Sequence, residues 1–339
     1  MSNYYAGRSE SYLYQVLDNR DNIIGTLDGV IDGKVDCSSS ATVRGSGSIT
    51  VRASDSLDML NNRIRVSYAW ESVIFPLITA LPSIPSEQYG LGRQLSIGLK
   101  DKLSILDGDS FGYSYSIEQG VNIIDAVHAV LLSANQTAVI EASSAVSTGR
   151  VWEPNDSKLK IINDLLDAAN YFALYADGLG QLQADKYIEP NSRPVMWTFE
   201  DTPGKGTYLP DFVRNYDPYS IPNSYVCIGK TDGDAEADRA QVLDYDSPYG
   251  FNARGYWLTK VDTDVEGNLN DIANRRLIDS RNVYETLEIE HPYLPFSING
   301  HENRVSFIND GKTWNAVCQR QSFSLKEGGL IKSTLRIIV

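Results

Sequence analysis

The chain has 339 residues, with 44 acidic side chains against 30 basic ones and a formal net charge of −14 at pH 7. This length predicts about two domains with a substantial core, which excludes a minidomain or a disordered tail. Because the negative charge repels a phosphate backbone, binding of nucleic acid by groove reading is not expected. Three widely separated cysteines, Cys37, Cys227 and Cys318, indicate buried free thiols rather than a disulfide framework or a metal site.

No export signal or membrane segment is expected. Residues 1–14 lack the apolar run of a secretory signal peptide. The longest apolar stretch, residues 73–84, is interrupted by Pro76 and Pro82 and is far shorter than the ~20 residues of a membrane-spanning helix.

The first hundred residues alternate between polar residues and β-branched or aromatic ones, which predicts strands. In chain order the predicted strands are residues 12–17, 23–27, 30–37, 42–51, 64–68 and 94–99. Gly45 and Gly47 suggest a bulge or bend in the fourth strand, and Pro76, Pro82 and Pro85 favour edges or loops. These strands form a meander or small barrel, and we assign residues 1–115 to this domain.

The middle of the chain changes to helical spacing. Apolar residues from Val121 to Leu131 predict one helix, and those from Leu159 to Phe172 predict a second, which ends near Gly178. A hairpin follows over residues 171–187. We assign residues 116–200 to a helix-containing α/β domain, because prolines crowd the segment that follows it.

The β pattern then returns. Strands are predicted over residues 225–230, 255–261, 283–291, 305–308, 313–324 and 331–338, with one short helix over 269–277. We assign residues 201–339 to a second β domain. The predicted fold class is therefore mainly β with an α/β middle segment.

No pattern in the chain predicts catalysis, a cofactor or a metal. His128, His291 and His301 are far apart, and none belongs to a closely spaced ligand pair. The acidic run that begins at Asp262 imitates a calcium loop, but Ala273 stands where a bidentate carboxylate is required. We therefore predict no catalytic, cofactor-binding or metal-binding residues and no enzymatic activity.

Several blocks resemble, in their order, the tail-tip or baseplate hub proteins (minor tail proteins) of long-tailed phages of actinobacteria. The blocks are Asp58-Met59-Leu60-Asn61-Asn62-Arg63, Leu81-Pro82-Ser83-Ile84-Pro85, Asp101-Lys102-Leu103, Asp246-Ser247-Pro248 and Asn274-Arg275-Arg276-Leu277 before Tyr284-Glu285-Thr286-Leu287. That family resembles the baseplate hub of contractile tails and the N-terminal part of tail-associated lysins.

The resemblance implies a structural protein of the virion tail tip, made in the host cytoplasm. Each subunit would carry two tube-type β-barrels, and a homotrimer would join the hexameric tail tube and distal tail ring to a threefold tip. The implied partners are the distal tail protein, the tape measure protein and other tail-tip or fibre proteins. DNA would only pass through the channel.

A channel gives the negative charge a role, because like charges oppose adsorption of DNA to the wall. We predict that some acidic side chains of the strands face this channel, namely Asp36, Asp55, Glu285, Glu288 and Glu290. The alternative is a receptor-binding or carbohydrate-binding tail protein, which would expose an aromatic platform beside polar residues. The 20 tyrosines are more typical of subunit interfaces than of sugar binding.

Overall fold

A computed structural model of the chain describes residues 10–52, 58–89, 93–202, 207–229, 237–265, 267–282, 285–294 and 303–338. Its described residues are mainly β, as predicted, with a small number of helices. Two residues singled out from the sequence, Asp55 and His301, lie outside the described ranges.

Seven strands make up the N-terminal part of the molecule. They are β1 (Glu10–Leu17), β2 (Ile23–Thr26), β3 (Val30–Ser38), β4 (Gly45–Arg52), β5 (Arg63–Trp70), β6 (Val73–Gln88) and β7 (Gln94–Asp101). Neighbouring strands are antiparallel, in the spatial order β3-β4-β7-β6-β5-β1-β2. The six predicted strands are confirmed, whereas β6 was not predicted.

The prolines of β6 lie inside a paired strand, so the loops predicted for this segment are wrong, whereas the predicted edge positions agree with a strand whose halves each pair on one side. The first half of β6 pairs with β5 and the second half with β7. Each half of β6 therefore has one recorded hydrogen-bonded neighbour. A proline, which lacks an N–H, is tolerated where its nitrogen points to the unpaired side of the strand. Register shifts next to Pro76 and across Pro85 absorb the remaining mismatch.

Pairing of β4 is regular through Gly45 and Gly47, so no bulge occurs at these glycines, and the register shift of this strand pair lies between Val30 and Asp32 of β3. The glycines serve a close approach instead. A Cβ atom on Gly47 would lie 2.4 Å from the Lys34 carbonyl oxygen, and one on Gly45 would lie 2.9 Å from the Asp101 carboxylate. Any side chain at Gly47 would force β3 and β4 apart.

A helical unit follows β7. It contains α1 (Leu103–Gly108), β8 (Tyr115–Ile117), α2 (Ile123–Ser133), β9 (Ala138–Ile140), β10 (Arg150–Trp152), α3 (Lys158–Ala168), β11 (Tyr175–Ala176) and β12 (Leu182–Ala184). Asn122 and Ser157 cap α2 and α3 by accepting hydrogen bonds from free backbone N–H groups. The helix α3 ends at Ala168 and not near Gly178, because Asn170 adopts a left-handed conformation at φ +61°.

The C-terminal part alternates between the large sheet and a second small unit. The large sheet receives β13 (Val195–Glu200), β14 (Val213–Tyr216), β18 (Glu285–His291), β19 (Arg304–Asn309), β20 (Lys312–Ser324) and β21 (Ile331–Ile337). The small unit contains β15 (Ser224–Gly229), β16 (Arg239–Leu243), α4 (Phe251–Arg254), β17 (Thr259–Val265) and α5 (Leu269–Asn282). The strand predicted from Gly255 begins at Thr259, because Gly255 ends α4 at φ +75°.

The N-terminal and C-terminal strands form one sheet of 13 strands. Its main path runs β14-β18-β21-β20-β3-β4-β7-β6-β5-β1-β2, and β13 and β19 extend from β20. Among the described strands, no recorded pairing joins β2 to β14 and closes this path into a barrel. Two hydrophobic cores lie along the sheet, one around Ile49, Val66 and Ile97 and one around Phe199, Leu287 and Phe307.

The two small units are fastened to each other by ion pairs. Arg275 of α5 donates to the Asp167 carboxylate at the end of α3 and, at 3.0 Å, to the side chain of Asn170. Arg276 bridges the same Asp167, at 3.0 Å, to Asp262 of β17. Because Arg275 is buried and Asp167 serves two guanidinium groups, this cluster is stronger than an isolated surface pair.

We expect Asp167→Ala to lower the free energy of unfolding by about 2 kcal/mol, because two arginines would lose their shared acceptor. The matched control is Glu141→Ala. It removes an exposed surface pair with Lys186 and should cost about 0.5 kcal/mol or less. Urea unfolding of the three proteins measures both changes, and equal effects would contradict the assigned role of Asp167.

Candidate functional surface: the polar face of the sheet

The large sheet is apolar on one face and polar on the other. Residues paired across neighbouring strands share a face, so the register identifies its members. One row runs across β18, β21, β20, β3, β4 and β7, through Glu290, Lys332, Ser322, Asp36, Ser46 and Lys100. We call this side the polar face.

Small polar residues occupy most of the middle of the polar face. They are Ser46, Ser48 and Thr50 of β4, Ser96 and Gly98 of β7, Ser322 and Ser324 of β20, and Thr334 of β21. The opposite face carries fully buried apolar residues such as Val35, Ile49 and Ile97. A cavity of about 430 Å³ opens on the polar face beside Lys34, Ser48, Ser322 and Lys332.

Asp36 lies on the polar face but is recessed and paired. Its carboxylate lies 3.3 Å from Lys34 Nζ and 3.3 Å from an Arg320 guanidinium nitrogen. Burial opposes ionisation, but hydrogen bonds from Ser322 and Lys34 outweigh it and hold the pKa of Asp36 below its ordinary value. Asp36 is therefore a charged side chain close to the sheet, and its cationic partners Lys34 and Arg320 are more exposed to solvent.

The three acids of β18 do not share a face. Glu288 and Glu290 lie on the polar face, and Glu288 contacts Lys332 Nζ at 2.9 Å. Glu285 alternates onto the core side with Leu287, where it is buried and accepts from Arg214 Nε at 2.7 Å. The structure therefore brings Asp36, Glu288 and Glu290 together on one surface and excludes Glu285 from it.

The negative charge of the chain predicted acids on this surface, and its cations were not predicted. Lys34, Lys332 and Arg320 stand on the polar face, and Lys326 lies 3.4 Å from Asp32 beside it. The signal was available, because Lys332 and Thr334 alternate with Ile331, Ser333 and Leu335, as Arg320 and Ser322 do with Gln321 and Phe323. The net charge of the whole chain does not reveal this alternation.

The helical unit and α5 attach along one rim of the sheet. Asp101 at the end of β7 accepts from Gly45 N at 2.5 Å and from Leu103 N at 2.9 Å, which ties α1 to β4. Burial raises the pKa of this carboxyl group to about 6. At the same rim, Arg336 of β21 donates to the carbonyl of Asp279 in α5 at 3.5 Å. These contacts leave the side chains of Lys34, Lys100 and Lys332 exposed.

A buried histidine lies beneath the polar face, at the end of β18. The two ring nitrogens of His291 lie 2.7 Å from the Pro292 carbonyl oxygen and 2.8 Å from Ser333 Oγ. Burial lowers the pKa of His291 to about 4, so the imidazole is neutral at pH 7. Its surroundings are those of a structural histidine, and the side chain of Gln321 also contacts Ser333.

Both ends of the sheet path expose apolar side chains on edge strands. Ile23 and Ile24 of β2 are more than half exposed, as is Val213 of β14. Each of these strands has one paired neighbour among the described strands, β1 for β2 and β18 for β14. An unpaired edge with apolar side chains is a template for pairing with another chain.

An aromatic cluster lies near the β14 edge. Tyr245 packs edge-on against Trp257, with ring centroids 5.1 Å apart, and Phe251 stacks on Trp257 at 4.7 Å. Arg254 lies over the rings of Tyr249 and Tyr256 and donates to the Ile221 carbonyl at 2.5 Å. Tyr219 is largely exposed beside this cluster.

Comparison with known proteins identifies the architecture. A tail protein from Neisseria meningitidis MC58 superposes with a TM-score of 0.71 at 15% identity, covering 96% of each chain. The 43 kDa tail protein of prophage MuSo2 from Shewanella oneidensis gives 0.68 at 12% identity, covering 96% of this chain and 98% of that one. The fold is that of phage tail proteins.

A third structure agrees with this result. Prophage tail protein gp18 from Listeria monocytogenes EGD-e gives a TM-score of 0.61 at 11% identity, covering 96% of this chain and 94% of that one. No protein-family model and no curated protein matches the sequence. Within the described ranges, no helix has the length and apolar character needed to cross a membrane.

We expect the His291 site to destabilise the protein as the pH falls. Between the unfolded pKa near 6.5 and the folded pKa of about 4, the unfolded chain binds a proton that the folded chain does not. The loss reaches about 3 kcal/mol at pH 4 relative to neutral pH. The variant His291→Gln lacks this loss, so its unfolding free energy should fall less between pH 7 and pH 4.

The difference between wild type and variant is the quantity to measure by urea unfolding. Asp101 titrates in the opposite sense, because its raised folded pKa adds stability as the pH falls through 6. This contribution is common to both proteins and cancels in the difference. A difference that stays constant from pH 7 to pH 4 would contradict the neutral buried state of His291.

Proposed function

We propose that this chain is a structural hub protein of a phage tail tip and acts as a homotrimer that lines the DNA channel. The observation that carries the proposal is the single one-sided sheet, which combines a polar face of small residues with an exposed apolar edge strand at each end. Edge strands at opposite ends of one sheet suit head-to-tail association into a closed ring.

The two hydrophobic cores of the sheet support a ring in which each chain contributes two β-barrels. One core is built mainly from strands before the helical unit and is completed by C-terminal residues such as Tyr293 and Phe323, and the other is built from residues after that unit. We take each half of the sheet as one tube-type β-barrel, so a trimer presents six barrels in a ring. Such a ring fits a hexameric tail tube and distal tail ring on one side and a threefold tip on the other.

In this arrangement the polar face forms the channel wall. Asp36, Glu288 and Glu290 then line the channel together with their cationic neighbours, while Glu285 does not. The helical unit and α5, attached along one rim, would contact the distal tail protein, the tape measure protein or other tip and fibre proteins. The protein would be a virion component of the tail tip without enzymatic activity of its own.

The mass of the assembly tests the proposal. We expect light scattering to give three times the 37.6 kDa chain mass, and negative-stain images to show a threefold ring with an axial hole. The purified chain is measured alone and after co-expression with the neighbouring tail proteins. A monomer under both conditions, with no ring in the images, would overturn the hub function.

Edge variants test how the ring closes. We expect Ile24→Lys and Val213→Lys each to shift the trimer toward monomer, because a lysine on an edge strand opposes pairing of that edge with another chain. The matched control Leu132→Lys changes an exposed apolar residue of the helical unit and should leave the trimer intact. Equal loss of trimer in all three variants would contradict closure through β2 and β14.

The aromatic cluster near β14 supports the alternative, a receptor-binding or carbohydrate-binding tail protein. Exposed tyrosines beside Arg254 and Asn252 combine stacking surfaces with hydrogen-bonding groups. A glycan array probed with wild type and with a Tyr219→Ala, Tyr256→Ala variant decides between the functions. Binding of a glycan that this variant abolishes, from a protein that remains monomeric, would favour the alternative.

A further inference from the structure

The ion pairs of the polar face are layered by depth. The side chains of Lys34, Arg320 and Lys332 are 55–60% exposed, whereas their partners Asp36 and Glu288 are 12% and 33% exposed. The carboxylates therefore lie close to the sheet, and the ammonium and guanidinium groups extend beyond them. An object that approaches this surface meets the positive partners first.

The same surface differs from the rest of the chain in its balance of charge. Its exposed cations include Lys34, Lys100, Arg320, Lys326 and Lys332, and its exposed acids are Asp32, Glu290 and, next to Lys326, Glu327. With the recessed Asp36 and Glu288, acids and cations are nearly balanced here. The chain as a whole has 44 acidic and 30 basic residues. On a protein that is acidic overall, a nearly neutral face whose outermost charges are cations is the place that repels a polyanion least.

We infer that the polar face makes weak, sequence-independent contacts with the phosphates of double-stranded DNA through Lys34, Arg320, Lys326 and Lys332. The inference rests on the proposed function, which brings duplex DNA to this face. It replaces a purely repulsive wall by one in which flexible cations touch the phosphates and recessed acids limit the attraction.

The neighbouring residues suit a contact that slides. Serine, threonine and glycine between the cations leave the surface without large side chains that would obstruct a duplex. The described positions of β3, β4, β7, β20 and β21 on the polar face carry no aromatic residue that could stack on bases. Phosphate contacts carry no sequence information and allow movement along DNA. Because Asp36 and Glu288 stay within ion-pair distance of these cations, each phosphate competes with an internal carboxylate, which keeps the binding weak.

Binding of a short DNA duplex tests the inference. Fluorescence anisotropy of a labelled duplex of about 20 base pairs is followed against protein concentration at about 50 mM salt and at several higher concentrations. We expect measurable affinity at low salt that falls steeply as salt increases. The variant Lys34→Gln, Arg320→Gln, Lys326→Gln, Lys332→Gln should bind at least tenfold more weakly and show a smaller salt dependence.

A control variant removes the same number of positive charges from other surfaces. It carries Lys160→Gln, Lys186→Gln, Arg239→Gln and Lys312→Gln. All four residues are exposed, and Lys160 and Lys186 are paired with acids. Both variants have the same net charge, so a general electrostatic effect would weaken both equally. Equal weakening, or no binding by the wild type at low salt, would overturn the inference.

A second variant guards against a folding defect. Removal of Lys34 and Arg320 leaves Asp36 without its two cationic partners, so the double variant Lys326→Gln, Lys332→Gln is measured as well. It leaves the Asp36 pairs intact and should show an intermediate loss of affinity. The assignment of these cations would be overturned if the double variant bound DNA as tightly as wild type and the quadruple variant were destabilised in urea.

Ring formation is scored separately on the same proteins. A chain that forms rings but binds DNA no better than the quadruple variant would refute the DNA contact and leave the hub function standing. A chain that binds DNA through these four cations and never forms a ring would refute the hub function instead. The two results are therefore distinguishable.

Discussion

The architecture depends on one strand pairing, between residues Lys34–Ser38 of β3 and Arg320–Ser324 of β20. This pairing joins the first and last parts of the chain into one sheet, and the contact between Asp36 and Arg320 within it spans 284 positions of sequence. The backbone hydrogen bonds of a ladder require both strands to share one register. All other strands of the path are therefore aligned from this junction, and the polar residues of both halves fall on the same side.

Packing beneath the junction reinforces the alignment. Tyr293, which follows β18, stacks on Tyr68 of β5 with ring centroids 3.8 Å apart, and Phe323 of β20 belongs to the same core. Side chains from the C-terminal part thus complete the N-terminal core. The N-terminal half is therefore not an independent unit, because residues of the C-terminal part complete its core, whereas the core around Leu287 and Phe307 contains only C-terminal residues.

The small units are fastened to the same framework at a different place. Asp101 connects β4 and β7 to α1, and the cluster of Asp167, Arg275 and Arg276 connects α3 to α5. The helical unit also packs its 178–180 loop on β5 and β6 through Arg65 and Thr79, but it leaves Lys34, Lys100 and Lys332 exposed and adds a separate surface for contacts. This division fits the proposed hub, in which a channel wall and a set of partner contacts must be built from one chain.

The amino-acid sequence determined the local elements and the general class of the protein. Alternation in β3, β4 and β7 and helical spacing in α2 and α3 are local patterns, so their positions followed from side-chain periodicity. The prolines of β6 correctly favoured an edge but concealed the strand, because its pairing with β5 and then with β7 is decided by distant segments. Asn170 ended α3 earlier than periodicity indicated.

The tertiary structure decided which charged residues belong together. Glu285 and Glu288 are three positions apart on β18 and face opposite ways, whereas Asp36 and Lys332 are far apart in sequence and lie in one row. Strand order and register set these neighbourhoods, and they depend on pairings between distant segments rather than on any local pattern. The depth of each charge follows from the same packing, which is why a chain with a net charge of −14 presents cations on its polar face.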